Sequence, residues 1–405
     1  MNSRRLALAA ALLAAAAILS ATLVPDRSIT AEQLAQVAPR RLGLLADFVR
    51  NVILFVPLGA CLAWSGIRPR RALLAGALLS AGIELAQIAI PSRDPSVSDF
   101  AANTTGVALA LSLLRTAPAW LRPAPELARA LEACAGAAVV FVLVSTGFLL
   151  APAPTAAIFY GHRTPSSLAH LAPYGGSVRD ASIDSIEIPY GPIADSAGVR
   201  AALGGDYALR VNGLAGPPPQ RLAAFVLITD ADQNEILLLG PDRDDLVYRY
   251  RARGQRLGLE PARARLPHAL AGIEPGAPLA IAVSRSRADL CIALDGNTEC
   301  GHGPTVGDGW RLVVPDWRFL ARARAVLEAS WFAALFAPLG FWSRRNAATA
   351  AAWAASAAAL VLLPGVLPLR PTPLTQLAEA GFGVGLGLAV RRPLASAAAC
   401  AARER

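Results

Sequence analysis

The chain has 405 residues and no lysine; all 38 basic residues are arginine. Charge of either sign is scarce. Only 17% of residues are charged, against about 25% in an ordinary soluble globular protein, and mean hydropathy is +0.44. A chain this poor in charge cannot cover its surface for water, so many residues must face lipid. The formal net charge of +9 does not point to nucleic acid, because the arginines sit at the ends of apolar runs rather than in one patch. The arginine and alanine bias suits a GC-rich bacterial genome.

Catalytic signatures are also missing. No G-x-S-x-G, Walker A, H-E-x-x-H or dinucleotide fingerprint occurs. The five cysteines, Cys61, Cys134, Cys291, Cys300 and Cys400, form no C-x-x-C, which excludes a zinc ribbon or thioredoxin-like site. His162, His170, His268 and His302 are scattered, so no metal and no cofactor is expected. Asp230, Asp232 and Asn234 imitate a calcium loop, but Glu235 stands where the turn glycine belongs. That stretch reads as a solvated hairpin loop.

What is present is a series of apolar runs, each close to the ~20 residues that cross a bilayer. Eight candidates lie at 5–24, 51–66, 71–90, 99–115, 131–151, 325–342, 347–363 and 374–390. The first follows Arg4 and Arg5 and has the form of a signal peptide; seven later spans favour its retention. With the N-terminus inside, the inner loops hold Arg68, Arg70, Arg71, Arg115, Arg122, Arg129, Arg344 and Arg345, and the tail holds Arg391, Arg392, Arg403 and Arg405. Outer loops hold fewer: Arg27, Arg40, Arg41, Arg50, Arg93 and Arg370. The bias puts both termini in the cytoplasm and residues 152–324 outside.

That long segment differs from the rest. Short alternating runs, such as Tyr207–Val211, Ala224–Ile228, Glu235–Leu239, Leu246–Tyr250, Leu279–Val283 and Leu290–Leu294, alternate with turn signals, which suggests a β-sandwich. Asp295-Gly296 is a hairpin turn signal. Cys291 and Cys300 flank it, and on the outer side a bridge between them is expected.

The helices carry an internal repeat. Leu54-Phe55-Val56-Pro57-Leu58-Gly59 recurs as Leu335-Phe336-Ala337-Pro338-Leu339-Gly340. Ser98-Asp99-Phe100-Ala101 through Gly106-Val107 matches Thr375-Gln376-Leu377-Ala378 through Gly383-Val384. The expected fold is thus a polytopic α-helical membrane protein of about eight spans in two four-helix units, with an all-β sandwich inserted. The expected divisions are unit one at 1–120, a fifth span at 121–151, the sandwich at 152–324, a degenerate unit two at 325–392 and a cytoplasmic tail at 393–405.

Unit one keeps polar residues where lipid would exclude them. Glu84 and Gln87 share a face of span three, and Asp99 and Asn103 a face of span four. Arg50 and Asn51 open span two at the same surface, and Arg93 and Asp94 lie in the hairpin loop. Ionisable groups in a span default to a functional hypothesis. The partner expected for Glu84 is Arg93 or Arg50. The set reads either as an outward pocket for a headgroup or small polar ligand, or as polar glue between helices. Asp99 also suits a helix N-terminus. Unit two places Trp331, Phe332, Gln376 and Ala380 at the positions of Arg50, Asn51, Asp99 and Asn103, and reads as scaffold.

Asn51, Phe55, Pro57-Leu58-Gly59, Glu84, Gln87, Arg93, Asp99, Asn103 and Gly106 resemble, in order and spacing, the VanZ-like family of bacterial membrane proteins. The resemblance covers roughly residues 5–115. The family is named for an accessory protein of glycopeptide antibiotic resistance, so it implies a role in the cell envelope. The inserted segment resembles a concanavalin A-like (LamG-type) jelly roll through Glu235–Leu239, Asp244–Tyr250 and the Leu290–Gly296 hairpin, which implies binding of a glycan or protein. The leading expectation is a non-enzymatic protein of the bacterial inner membrane. Its ligand-binding set would be Arg50, Asn51, Glu84, Gln87, Arg93, Asp99 and Asn103. The alternatives are a membrane enzyme acting on a lipid-linked precursor, with Glu84 as base assisted by Asp99, and a transporter.

Overall fold

The computed structural model describes residues 3–23, 44–90, 95–165, 171–315, 323–344 and 347–403. Arg27, Arg40, Arg41, Arg93, Asp94, His170, Arg345 and Arg405 lie outside the described residues. Two compact units divide the chain: residues 1–136, 333–352 and 382–405 form one, and 137–332 and 353–381 the other.

Long helices occupy both ends of the chain. In order they are α1 (Ser3–Leu23), α2 (Leu44–Trp64), α3 (Pro69–Gln87), α4 (Val97–Leu121) and α5 (Pro125–Leu150), then, after the β region, α7 (Arg324–Trp342), α8 (Ala347–Val366) and α9 (Leu374–Arg403). Six of them, all but α3 and α9, are long and apolar enough to cross a membrane among the described residues. The expected count of eight spans therefore rests, for α3 and α9, on sequence alone. Arginines at the start of α3 and in the second half of α9 lower their apolarity. The stretch expected as a tail from residue 393 continues α9 as far as Arg403.

Close packing in the first unit follows from small residues. A Cβ added to Gly106 on α4 would stand 2.3 Å from the Val52 carbonyl of α2, and one on Gly59 of α2 would stand 2.9 Å from the Val107 carbonyl. Without a side chain at either glycine the two backbones touch, which is how helices associate where water exclusion offers no drive. Phe55, Leu58, Ile83 and Val107 fill the interior beside Ile18 of α1. Pro57 sits inside α2 and Pro338 inside α7.

The repeat seen in sequence recurs in the packing. Gly340 of α7 meets the Val384 carbonyl of α9, with an added Cβ 2.1 Å away. Gly340 and Val384 are the counterparts of Gly59 and Val107. Phe336 and Leu339 are buried like their counterparts Phe55 and Leu58.

Between the helical segments lie two six-stranded antiparallel sheets, in the orders β4-β1-β6-β7-β8-β9 and β12-β11-β10-β5-β2-β3. The strands of the first are β1 (Tyr160–Arg163), β4 (Gly191–Pro192), β6 (Val226–Thr229), β7 (Glu235–Asp242), β8 (Asp245–Tyr250) and β9 (Ala262–Leu266). Those of the second are β2 (Ser177–Ile183), β3 (Ile186–Glu187), β5 (Tyr207–Leu214), β10 (Pro278–Ser286), β11 (Asp289–Leu294) and β12 (Asn297–Glu299). A short helix, α6 (Ser196–Gly204), starts where Asp195 accepts from the Gly198 amide. Strands β5 and β10 alternate buried and exposed residues, as strands covered on one face do. Strands β6, β7 and β8 are buried almost throughout, so that sheet is covered on both faces. The sheets face each other: Tyr207 of β5 hydrogen-bonds Tyr248 of β8 in the buried layer between them. Burial holds both phenols well above their ordinary pKa, so they remain neutral donors and acceptors.

Asp295 and Gly296 both take positive φ in the two-residue turn between β11 and β12, the conformation that Asp-Gly favours. Just beyond the last pair of that hairpin, Cys291 and Cys300 form a disulfide, with Cα atoms 4.0 Å apart.

Candidate functional site

Polar side chains from α2, α3 and α4 converge in the first unit. Asp47 and Arg50, one turn apart on α2, form an ion pair. The next residue, Asn51, and Arg50 both lie within electrostatic reach of the Asp99 carboxylate near the start of α4. Ser96 caps α4: its hydroxyl accepts from the Ser98 amide at 3.2 Å and meets the Ser98 hydroxyl at 2.7 Å. Asp99 is the third residue of the helix, so Ser96 and Asp99 have the spacing of a capping pair. The Ser96 amide donates to Glu84 Oε2 of α3 at 2.7 Å, which ties the end of one helix to the start of the next. Glu84 and Asp99 lie within electrostatic reach of each other, and so do Asp99 and Asp47.

Among the described residues Glu84 accepts from a backbone amide, and Arg50 pairs with Asp47. Gln87 is buried and donates to the Thr22 carbonyl at the end of α1, at 3.2 Å, so it fastens α3 to α1. Asn103 is 2% exposed and donates to Ser80 of α3 at 2.9 Å; its Oδ1 has no hydrogen-bond partner. Arg93 lies outside the described residues.

Asp47, Ser80, Ser96 and Ser98 were missed in the sequence reading. Asp47 had a signal, since it precedes Arg50 by three residues on one helix face. Ser96 had one too, in the Ser-x-x-Asp spacing.

The second repeat is not bare scaffold. Glu328 of α7 occupies the position of Asp47, and Gln376 of α9 that of Asp99. Gln376 is 2% exposed and donates to Glu328 at 2.5 Å. Its carbonyl accepts from the Thr305 hydroxyl at 2.9 Å, and Thr305 is also held by the Asp308 carboxylate. An added Cβ on Gly307 would be 2.6 Å from Gln376 and 2.5 Å from Phe332; one on Gly309 would be 2.8 Å from the Trp331 ring. The turn after β12 is thus seated on the polar pair of this repeat. Glu328 was overlooked because it lies before the Leu335–Gly340 stretch that aligns.

In the β region, Asp244, Asp245 and His268 bring three ligand-type atoms together. Arg265 is already there, 2.8 Å from Asp242 and 2.7 Å from Asp245, so the cluster reads as an ion-pair network. Asp230 closes its own loop by accepting from the Asp232 and Asn234 amides, and pairs with Arg251.

No curated protein and no solved structure matches the chain. The VanZ/LLP1 family model matches residues 8–118, a span that holds α2, α3, most of α1 and α4, and every residue of the polar cluster. With six helices able to cross a bilayer, the chain is an integral membrane protein that carries a VanZ-like domain.

Proposed function

We propose that this is a non-enzymatic protein of the bacterial inner membrane, whose VanZ-like domain handles a lipid headgroup or other polar ligand and whose β region binds a glycan or protein of the envelope. Both termini are cytoplasmic in this reading, and the β region is extracytoplasmic. The observation that carries it is the convergence of Asp47, Arg50, Asn51, Glu84 and Asp99 from three helices. A helix pair meant only to associate needs small residues, and α2 and α4 already have them in Gly59 and Gly106. Ionisable groups at a span end are costly unless used.

The Cys291–Cys300 disulfide supports an oxidising compartment for the β region. Its two antiparallel sheets support a concanavalin A-like jelly roll, and such folds bind many ligands, so the ligand class rests on analogy. The membrane-enzyme reading draws on Glu84 and Asp99, two acids within reach of each other.

A deletion strain complemented with wild type, Glu84→Gln or a chain lacking residues 155–318 tests the proposal through envelope-stress and glycopeptide susceptibility. The expected result is that Glu84→Gln inserts normally and fails to complement. Full complementation by Glu84→Gln would remove the VanZ-like domain from the function.

A further inference from the structure

The second repeat shows which kind of group its polar pair receives. Thr305 presents a hydroxyl to Gln376 Oε1 at 2.9 Å, and both residues are buried. Gln376 stands at the Asp99 position, so the donor arriving at that position is an aliphatic hydroxyl.

In the first repeat the same position holds a carboxylate. A carboxylate accepts from a hydroxyl more strongly than an amide carbonyl does. Arg50 and Asn51 of α2 carry N–H groups within electrostatic reach of it. Four residues further along α4, Asn103 Oδ1 is a buried acceptor with no hydrogen-bond partner. Buried acceptors of this kind are normally satisfied, and an empty one asks for a donor.

We propose that this cluster binds a hydroxyl-rich group, a sugar or polyol, with Asp99 and Asn103 accepting from its hydroxyls and Asn51 and Arg50 on the donor side. Each sugar hydroxyl both donates and accepts, and interleaved carboxylate and amide groups match that. The inference rests on the reading that the VanZ-like domain handles a polar ligand, and names the ligand's chemistry.

The test uses the full chain in lipid nanodiscs. The probes are free N-acetylglucosamine, free inositol, and vesicles carrying monoglucosyl diacylglycerol, with phosphatidic acid vesicles as a hydroxyl-free competitor. Saturable binding of at least one hydroxyl-rich probe is expected. Asp99→Asn should weaken it by about tenfold or more, as loss of a charged hydrogen bond does. Asn103→Ser, which keeps a small polar group, should weaken it less; Asp99→Asn should melt like wild type, and Asn103→Ser should melt somewhat lower because it loses the bond to Ser80. Binding only from glucolipid vesicles identifies a lipid-borne sugar, and binding of the free compounds identifies a soluble one.

The proposal is overturned if no probe saturates, if phosphatidic acid competes as well as the glucolipid, or if Asp99→Asn leaves affinity unchanged. In the last case the sugar is held elsewhere, in the β region. Loss of complementation by Glu84→Gln with no sugar binding would leave the broader function standing and remove this inference alone.

Discussion

At the scale of single residues, burial decides which groups respond to pH. His302, beside the disulfide, has its pKa lowered from 6.5 by desolvation, which outweighs the upward pull of the nearby Glu299 carboxylate. A histidine with a depressed folded pKa gives its full stability above the unfolded value. That stability is lost as pH falls through 6.5 toward the folded pKa, because the unfolded chain takes up the proton first. Thermal unfolding followed at pH 7.5 and pH 5 should show a lower melting temperature at the acid end, and His302→Gln should shrink the difference. An unchanged difference would place the titration on another group, such as His162, which is also depressed by burial. A second residue prediction concerns Thr305→Val. It leaves the buried Gln376 carbonyl without its donor, and should cost about 1–3 kcal/mol, read as a shift in denaturant midpoint. Much of the polar cluster was legible at this scale: Asn51, Glu84 and Asp99 stand out because lipid-facing helices exclude such side chains. Their partners were not, because a backbone amide such as that of Ser96 leaves no trace in residue identity.

Among the elements, close approach of helices gives the sharpest expectation. Gly59→Leu drives a large side chain into the Val107 carbonyl, and Gly340→Leu does the same against Val384. Overpacking of this kind costs about 1–3 kcal/mol or more. Both should lower the melting temperature in detergent, and similar losses would express the equivalence of the two helix pairs. In the β region, replacing Cys291 and Cys300 with alanine removes a cross-link of sequence separation 9, worth about 2.5 kcal/mol in the chain-entropy account. Hydrogen exchange should then speed up in β11 and β12 before the rest of the sheet. Strands of the central layers were readable as short apolar runs between turn signals, but their burial on both faces was not, since Glu235–Leu239 and Leu246–Tyr250 were read as alternating. Strand β9 was not: Ala262-Arg263-Ala264-Arg265-Leu266 looks exposed, yet Arg263 and Arg265 are drawn inside by Glu260, Asp242 and Asp245. The edge strands β3, β4 and β12 are too short to have a period. Helix α6 holds only nine residues and announces itself mainly through Asp195.

For the whole molecule, hydropathy separated membrane helices from an inserted β region without any knowledge of contacts, because lipid and water ask for opposite surfaces. The repeat was legible through Pro-Leu-Gly, whose glycine is needed for backbone contact at both positions. The polar pair of the second repeat was not legible, since Glu328 and Gln376 meet only once α7 and α9 are packed. The topology expected from arginine placement puts residues 98 and 232 both outside the membrane. Cysteine substitution tests this with a membrane-impermeant maleimide on intact spheroplasts, after Cys61, Cys134 and Cys400 are replaced by alanine. Ser98→Cys and Asp232→Cys should both react before the membrane is permeabilised. Reaction of Asp232→Cys alone, with Ser98→Cys labelled only after permeabilisation, would put the cluster on the opposite face and contradict the account.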